Sequence, residues 1–137
     1  MTLATLLQSL EGRVKILDRR GNLDVSVNAI TDDSRAVSAN SLFVAVKGEQ
    51  VDGHEFIPAA MRGGMVALLS QQPVREVPLP FVRVDDSRKA LGLLGGRFYG
   101  DPSSKIRMIG VTGTNGKTTT TYICKALLEA MGHPVGL

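Results

Sequence analysis

The sequence holds one cysteine, Cys124, and no tryptophan. No disulfide can form within it, which fits a reducing compartment. Cys124 itself reads as a small packing residue. Aromatics make up 4% of the 137 residues, and no basic stripe is interleaved with stacking rings. That pattern argues against nucleic-acid binding. No stretch approaches the roughly 20 consecutive apolar residues of a membrane helix. The start, Met1-Thr-Leu-Ala-Thr5, lacks the basic residues and continuous apolar run of a secretion signal. The expectation is a cytoplasmic, monomeric chain that binds neither nucleic acid nor membrane. Hydrophobic content of 43% is ordinary for a globular protein, and a net charge of +3 suits a phosphorylated small molecule as ligand.

The densest signal is residues 106–121, Ile-Arg-Met-Ile-Gly-Val-Thr-Gly-Thr-Asn-Gly-Lys-Thr-Thr-Thr-Thr. An apolar strand is predicted to run into a glycine-bounded loop that opens a helix. Gly113 and Gly116 lack a Cβ, so the backbone can turn tightly beside a ligand. The first N–H groups of the helix have no intrahelical partner and can face anionic oxygens. Lys117 adds a cation for outer phosphates, and the Thr118 hydroxyl suits a magnesium ion bridging them. The loop is a variant of G-x-x-x-x-G-K-[ST], because Val111 stands where the first glycine is usual. The simpler reading is a glycine-rich turn capping an ordinary helix. Ile123, Ala126, Leu127, Ala130 and Met131 recur at helical spacing, and Gly132 and Pro134 supply the stop. Threonines are weak helix formers, so the run Thr118–Thr121 suggests a use for hydroxyls, although Thr119 to Thr121 could equally pack or cap.

The preceding hundred residues alternate short helices and strands. Helices are expected over 2–10, 56–62 and 87–99, and strands over 25–30, 42–46, 65–69 and 81–84. Asp85, Asp86 or Ser87 caps the third helix. Gly100-Asp-Pro-Ser-Ser104 reads as a linker, which sets the domains at 1–103 and 104–137. Asp-Asp-Ser-Arg occurs twice, at 32–35 and 85–88. Capping explains the second copy. The first ends a strand, where Ser34 and Arg35 could reach an anion or a sugar, or simply form a solvated turn. Gly48–His54 is a second polar loop, in which His54 reads as a helix-start residue.

Taken together, Gly113-Thr-Asn-Gly-Lys-Thr-Thr119, Thr31-Asp-Asp-Ser-Arg35, Ser41-Leu-Phe-Val-Ala-Val-Lys-Gly48, Asp52-Gly-His-Glu-Phe-Ile57 and Gly96-Arg-Phe-Tyr-Gly-Asp-Pro-Ser103 resemble the Mur ligases. These are ATP-dependent amide-forming enzymes of peptidoglycan assembly. The pattern is nearest to members that join diaminopimelate or lysine to UDP-N-acetylmuramoyl-L-alanyl-D-glutamate. The resemblance implies an α/β fold with a small mixed N-terminal domain that grips the UDP end of the substrate. The first βα unit of a parallel-sheet ATPase domain would follow. It assigns the UDP end to Asp32, Ser34, Glu49, Gln50 and Val51. It assigns ATP to Gly113, Thr114, Asn115, Gly116, Lys117, Thr118 and Thr119, magnesium to Thr118, and the catalytic role to Lys117. The family's reaction passes through an acyl phosphate on the D-glutamate carboxylate. The acidic metal ligands and the amino-acid-binding domain of the family are not in this sequence. An inactive N-terminal piece with apolar surface exposed beyond residue 104 is therefore expected. A non-catalytic UDP-sugar-binding module, the D-alanyl-D-alanine-adding ligase, and a small P-loop kinase or GTPase are the alternatives.

Overall fold

Central strands rich in Leu, Val and Phe, flanked by short amphipathic helices, assemble here into one five-stranded sheet covered on both faces. The structure, a computed structural model, describes residues 1–75 and 77–137. The chain divides into two compact units, Met1–Pro102 and Ser103–Leu137.

In the first unit, α1 (Leu3–Leu7) starts where the Thr2 hydroxyl accepts from the Thr5 N–H, and a 3-10 turn (Gln8–Leu10) extends it. Leu3, Leu6, Leu7 and Leu10 fall on one helical face, and all are buried. Five strands follow: β1 (Ile16–Arg20), β2 (Ala29–Thr31), β3 (Ser41–Ala45), β4 (Met65–Ser70) and β5 (Phe81–Val84). The sheet order is β1-β5-β4-β3-β2. β2 to β5 run parallel, and β1 closes one edge antiparallel to β5. β3 is buried at every residue, as a central parallel strand covered on both faces must be. Leu42 and Val44 join α1 and α3 (Ser87–Phe98) on one side of the sheet. Phe43 and Ala45 join α2 (Ile57–Arg62) on the other. In β4 a register shift opposite Ser41–Leu42 moves Met65 to the face of Leu68, while Ala67 and Leu69 face the other layer.

The mixed α/β class expected from the sequence is the class observed. Two local expectations are corrected and one strand is added. The strand predicted over 25–30 is confined to Ala29–Thr31, with Ser26 held to Thr2 by an isolated bridge. β1 was not anticipated. Its residues Ile16-Leu-Asp-Arg-Arg20 alternate only weakly, and pairing with β5 forms it. Residues 106–112 do not form the expected strand. A strand needs a neighbour to satisfy its N–H and C=O groups, and no described strand pairs with this segment.

In the second unit the helix does form, as α4 (Lys117–Ala130). Its apolar stripe is open: Ile123, Leu127 and Met131 are 55%, 61% and 71% exposed.

Candidate functional site

Parallel strands deliver their following loops to one edge of a sheet, and ligands of open α/β sheets sit outside those carboxyl ends. Here that edge carries the loop after β2 (Asp32–Ala36), the loop after β3 (Val46–Asp52), the segment after β4 (Gln71–Pro73) and the start of α3 after β5. An open cleft of ≈ 1130 Å³ lies there, walled by Lys47 to Val51, His54, Gln71 to Pro73 and Arg88.

The loop after β3 is a closed hairpin. Lys47 and Asp52 pair across its base, and the Gly48 N–H donates to the Val51 carbonyl at 2.9 Å. A Cβ at Gly48 would lie 2.7 Å from that carbonyl oxygen, so only glycine fits. Glu49 and Gln50 are thereby held at the tip, in the cleft. Beneath them runs a compact polar network. The Asp52 carboxylate accepts from the His54 N–H at 3.0 Å and pairs with its ring Nδ1. The other ring nitrogen meets the Ser70 hydroxyl at 2.9 Å, and that hydroxyl donates to the Gln72 carbonyl at 2.8 Å. The Gln72 side chain returns to Asp52 at 3.0 Å. The His54 N–H, its ring and the Gln72 amide together hold the Asp52 carboxyl below the usual carboxylate range. Ser70 is fully buried. This Asp-His-Ser set is therefore a brace between two cleft walls rather than a nucleophile with its base: its hydroxyl has no access to a substrate and already donates to a carbonyl. The sequence reading of His54 as a helix-start residue agrees with its place in the 3-10 turn Gly53–Phe56. Sequence spacing gave no sign of its ring contacts, because Ser70 and Gln72 arrive from another strand.

Of the sequence-assigned residues, Glu49, Gln50 and Val51 are brought together in the cleft. Asp32 and Ser34 leave the same edge from the adjacent strand, β2, but do not line it. Arg35 grips Asp33 through two parallel bonds, Nε to Oδ1 at 2.9 Å and Nη2 to Oδ2 at 2.8 Å. The Arg35 side chain, and then its backbone N–H, pull the Asp33 carboxyl down to about 2. Lys47, Gln72 and Arg88 were not singled out from the sequence, and His54 was read only as a helix-start residue.

In the second unit, Gly116 adopts φ +76° as it enters α4, and an added Cβ there would meet nothing. Glycine is needed for the left-handed turn, not for room. The Lys117 ammonium folds back onto the Gly113 carbonyl at 2.6 Å and reaches the Thr114 carbonyl at 3.4 Å. Thr120 and Thr121 bond back to the carbonyls of Gly116 and Thr118, so these two hydroxyls serve the helix itself. Thr118 is exposed at the first turn. A loop of this shape, with a cation curled over it and a free hydroxyl at the helix mouth, fits phosphate oxygens and a hard cation. No group of three potential metal ligands occurs among the described residues. No helix among them is long and apolar enough to cross a membrane.

Residues 26–99 match the family model described as "Mur ligase family, catalytic domain", and residues 111–137 match "Mur ligase middle domain". The chain is 45% identical, over its full length, to the UDP-N-acetylmuramoyl-L-alanyl-D-glutamate–2,6-diaminopimelate ligase of Geobacillus thermodenitrificans, and spans 27% of it. It is 44% identical over 96% of its length to the enzyme of the same name from Parabacteroides distasonis, again 27% of that protein. The chain thus spans about a quarter of the length of the curated relatives it matches. Among solved structures, MurF from Acinetobacter baumannii aligns with a TM-score of 0.70 at 27% identity, covering 94% of this chain and 27% of that one. MurF ligase from Thermotoga maritima in complex with ADP aligns with a TM-score of 0.55 at 32% identity, covering 78% and 24%.

Proposed function

The chain belongs to the Mur ligase family, and from that premise we propose that it is part of a cytoplasmic, monomeric, ATP-dependent ligase. The enzyme joins diaminopimelate or lysine to UDP-N-acetylmuramoyl-L-alanyl-D-glutamate. Identity of 45% to a diaminopimelate ligase, against 27% and 32% to the MurF structures, supports the third-residue-adding member over the D-alanyl-D-alanine-adding one. Residues 1–103 take the UDP end of the substrate, and 104–137 open the ATP-binding domain.

The observation that carries this reading is a polar cleft at the carboxyl edge of the sheet, with Glu49, Gln50 and Val51 in its wall. Asp32 and Ser34 approach from the neighbouring strand as the second loop of the UDP site. Gly113 to Thr119 hold the phosphates of ATP, with Lys117 on the outer oxygens and Thr118 as one magnesium ligand. Magnesium, when bound, neutralises charge on the phosphates. A D-glutamate carboxylate oxygen attacks the outermost phosphorus and ADP leaves. The amine of the incoming amino acid then attacks the acyl carbon, and phosphate departs. Lys117 leaves its loop carbonyls to face the transferring group, where a positioned cation stabilises the developing charge.

Titration of the isotope-labelled chain with UDP-N-acetylmuramoyl-L-alanyl-D-glutamate tests the first assignment. Amide shifts are expected in the loops of Ser34 and of Glu49 to Val51, and their absence from both loops overturns it. With ATP and magnesium, shifts move to 113–121. Lys117→Ala should weaken ATP roughly 10- to 150-fold, the loss of about 1.5–3 kcal/mol from a charge-assisted bond, and leave the first set intact.

A further inference from the structure

The two copies of Asp-Asp-Ser-Arg stand at the same edge of the sheet, after β2 and after β5, yet their arginines are in opposite states. In the first copy Asp33 neutralises Arg35 with a two-pronged ion pair, and the Arg35 side chain is 89% exposed. In the second copy both carboxylates are engaged by backbone. Asp85 accepts from the Lys15 N–H at 2.9 Å, and Asp86 caps α3 by accepting from the Lys89 N–H at 2.8 Å. Arg88 is left with no carboxylate partner among the described residues. It stands in the cleft wall, where one guanidinium nitrogen makes only a long 3.4 Å contact to the Lys47 carbonyl. Lys47, at the base of the hairpin, stands in the same wall, also without an ion pair among the described residues. Next to Arg88, the Ser87 hydroxyl is fully buried and has no hydrogen-bond partner among the described residues. Among the described residues Glu49 is the single carboxylate in the cleft wall, against Lys47 and Arg88, so their balance is net positive.

We propose that Arg88 and Lys47 form an anion clamp that holds the two phosphoryl groups of the nucleotide-sugar ligand in this cleft. The inference rests on the reading of the cleft as the UDP-end site and assigns its diphosphate to residues outside the Asp32–Ser34 and Glu49–Val51 loops. The guanidinium fork suits phosphoryl oxygens, and its planar donors bond two of them at once. Lys47 supplies a second charge from the hairpin base. The brace from Asp52 through His54 to Ser70 and Gln72 fixes the hairpin that carries Lys47. The clamp is thus set before ligand arrives.

The test is amide-shift titration of the 137-residue chain with inorganic pyrophosphate, UDP and uridine, read at Gly48 to Val51 and at Arg88. Pyrophosphate and UDP are expected to shift these amides. Arg88→Ala should weaken both at least about tenfold, Arg88→Lys should fall between, and Lys47→Ala should weaken both independently. Binding of uridine should not respond to any of these changes. Arg62→Ala, which removes the same charge at the opposite edge, should leave every affinity unchanged. If UDP shifts the cleft equally in wild type, Arg88→Ala and Lys47→Ala, the clamp is overturned while the nucleotide site stands. If pyrophosphate binds there through Arg88 but UDP does not, the clamp stands and the nucleotide reading fails. If neither anion shifts the cleft, both are wrong.

Discussion

Asp33 and Arg35 show how far a single pair of residues can be read. Two residues apart at a strand end, they meet as a two-pronged ion pair, and the Asp33 carboxyl is lowered to about 2. Arg35→Gln should therefore raise the Asp33 carboxyl toward the usual carboxylate range in a side-chain NMR titration, leaving only the smaller lowering due to the backbone N–H of residue 35. A lowered carboxyl pKa contributes stability above its unfolded value, and that contribution is lost as pH falls through the folded one. Any contribution from Asp33 thus disappears between about pH 4 and pH 2, and the Arg35→Gln variant should lose the larger share of that component. The pair is solvent-exposed, so its share is small. An unchanged Asp33 titration in the variant would show that the ion pair does not form in solution.

At the scale of elements, the ends of helices decide what their neighbours can do. Asp86 accepts from the Lys89 N–H and so starts α3. That choice also removes Asp86 from Arg88, two residues on, and leaves the guanidinium free for the cleft. Asp86→Ala should cost about 0.5–2 kcal/mol through loss of the cap, measured by urea unfolding. Asp86→Asn should recover most of that, because the amide oxygen can still accept from the Lys89 N–H. A variant as unstable with Asn as with Ala would place the effect elsewhere. α4 is the contrasting element. Its first turn is built by Gly116 at positive φ, and its apolar stripe finds no cover among the described residues. Local sequence is sufficient to form the helix and its glycine-bounded loop, but the same local sequence could not hold residues 106–112 in a strand. A helix satisfies its own backbone, whereas a strand depends on a neighbour.

At the scale of the molecule, the two compact units have unequal cores. Met1–Pro102 contains both apolar clusters, one on each face of the sheet, whereas α4 has no buried residue. Residues 1–102 alone should unfold cooperatively in urea. Their amide spectrum should overlay on the corresponding resonances of the 137-residue chain, apart from the last few residues. About a hundred residues with a two-sided core is a normal size for independent folding. A non-cooperative transition, or wholesale shifts across β3 and β4, would show that the second unit is required for the first.

The sequence by itself determined the parts that depend on neighbours along the chain. The apolar run from Leu42 in β3, the helix at the start of the chain, the capped start of α3 within Asp85, Asp86 and Ser87, and the glycine-lysine-threonine opening of α4 were all legible. Each rests on local backbone geometry or on burial that a short run must satisfy. Only the tertiary structure decided β1, whose weak alternation becomes a strand through β5. It alone set the brace that joins His54 to Ser70 and Gln72. It also distinguished the two copies of Asp-Asp-Ser-Arg, pairing one arginine with a carboxylate and leaving the other in the cleft. Identical tetrapeptides have identical propensities. What separates them is which backbone N–H groups lie within reach of their carboxylates, and that is fixed by residues far away in the chain, such as Lys15 beside Asp85.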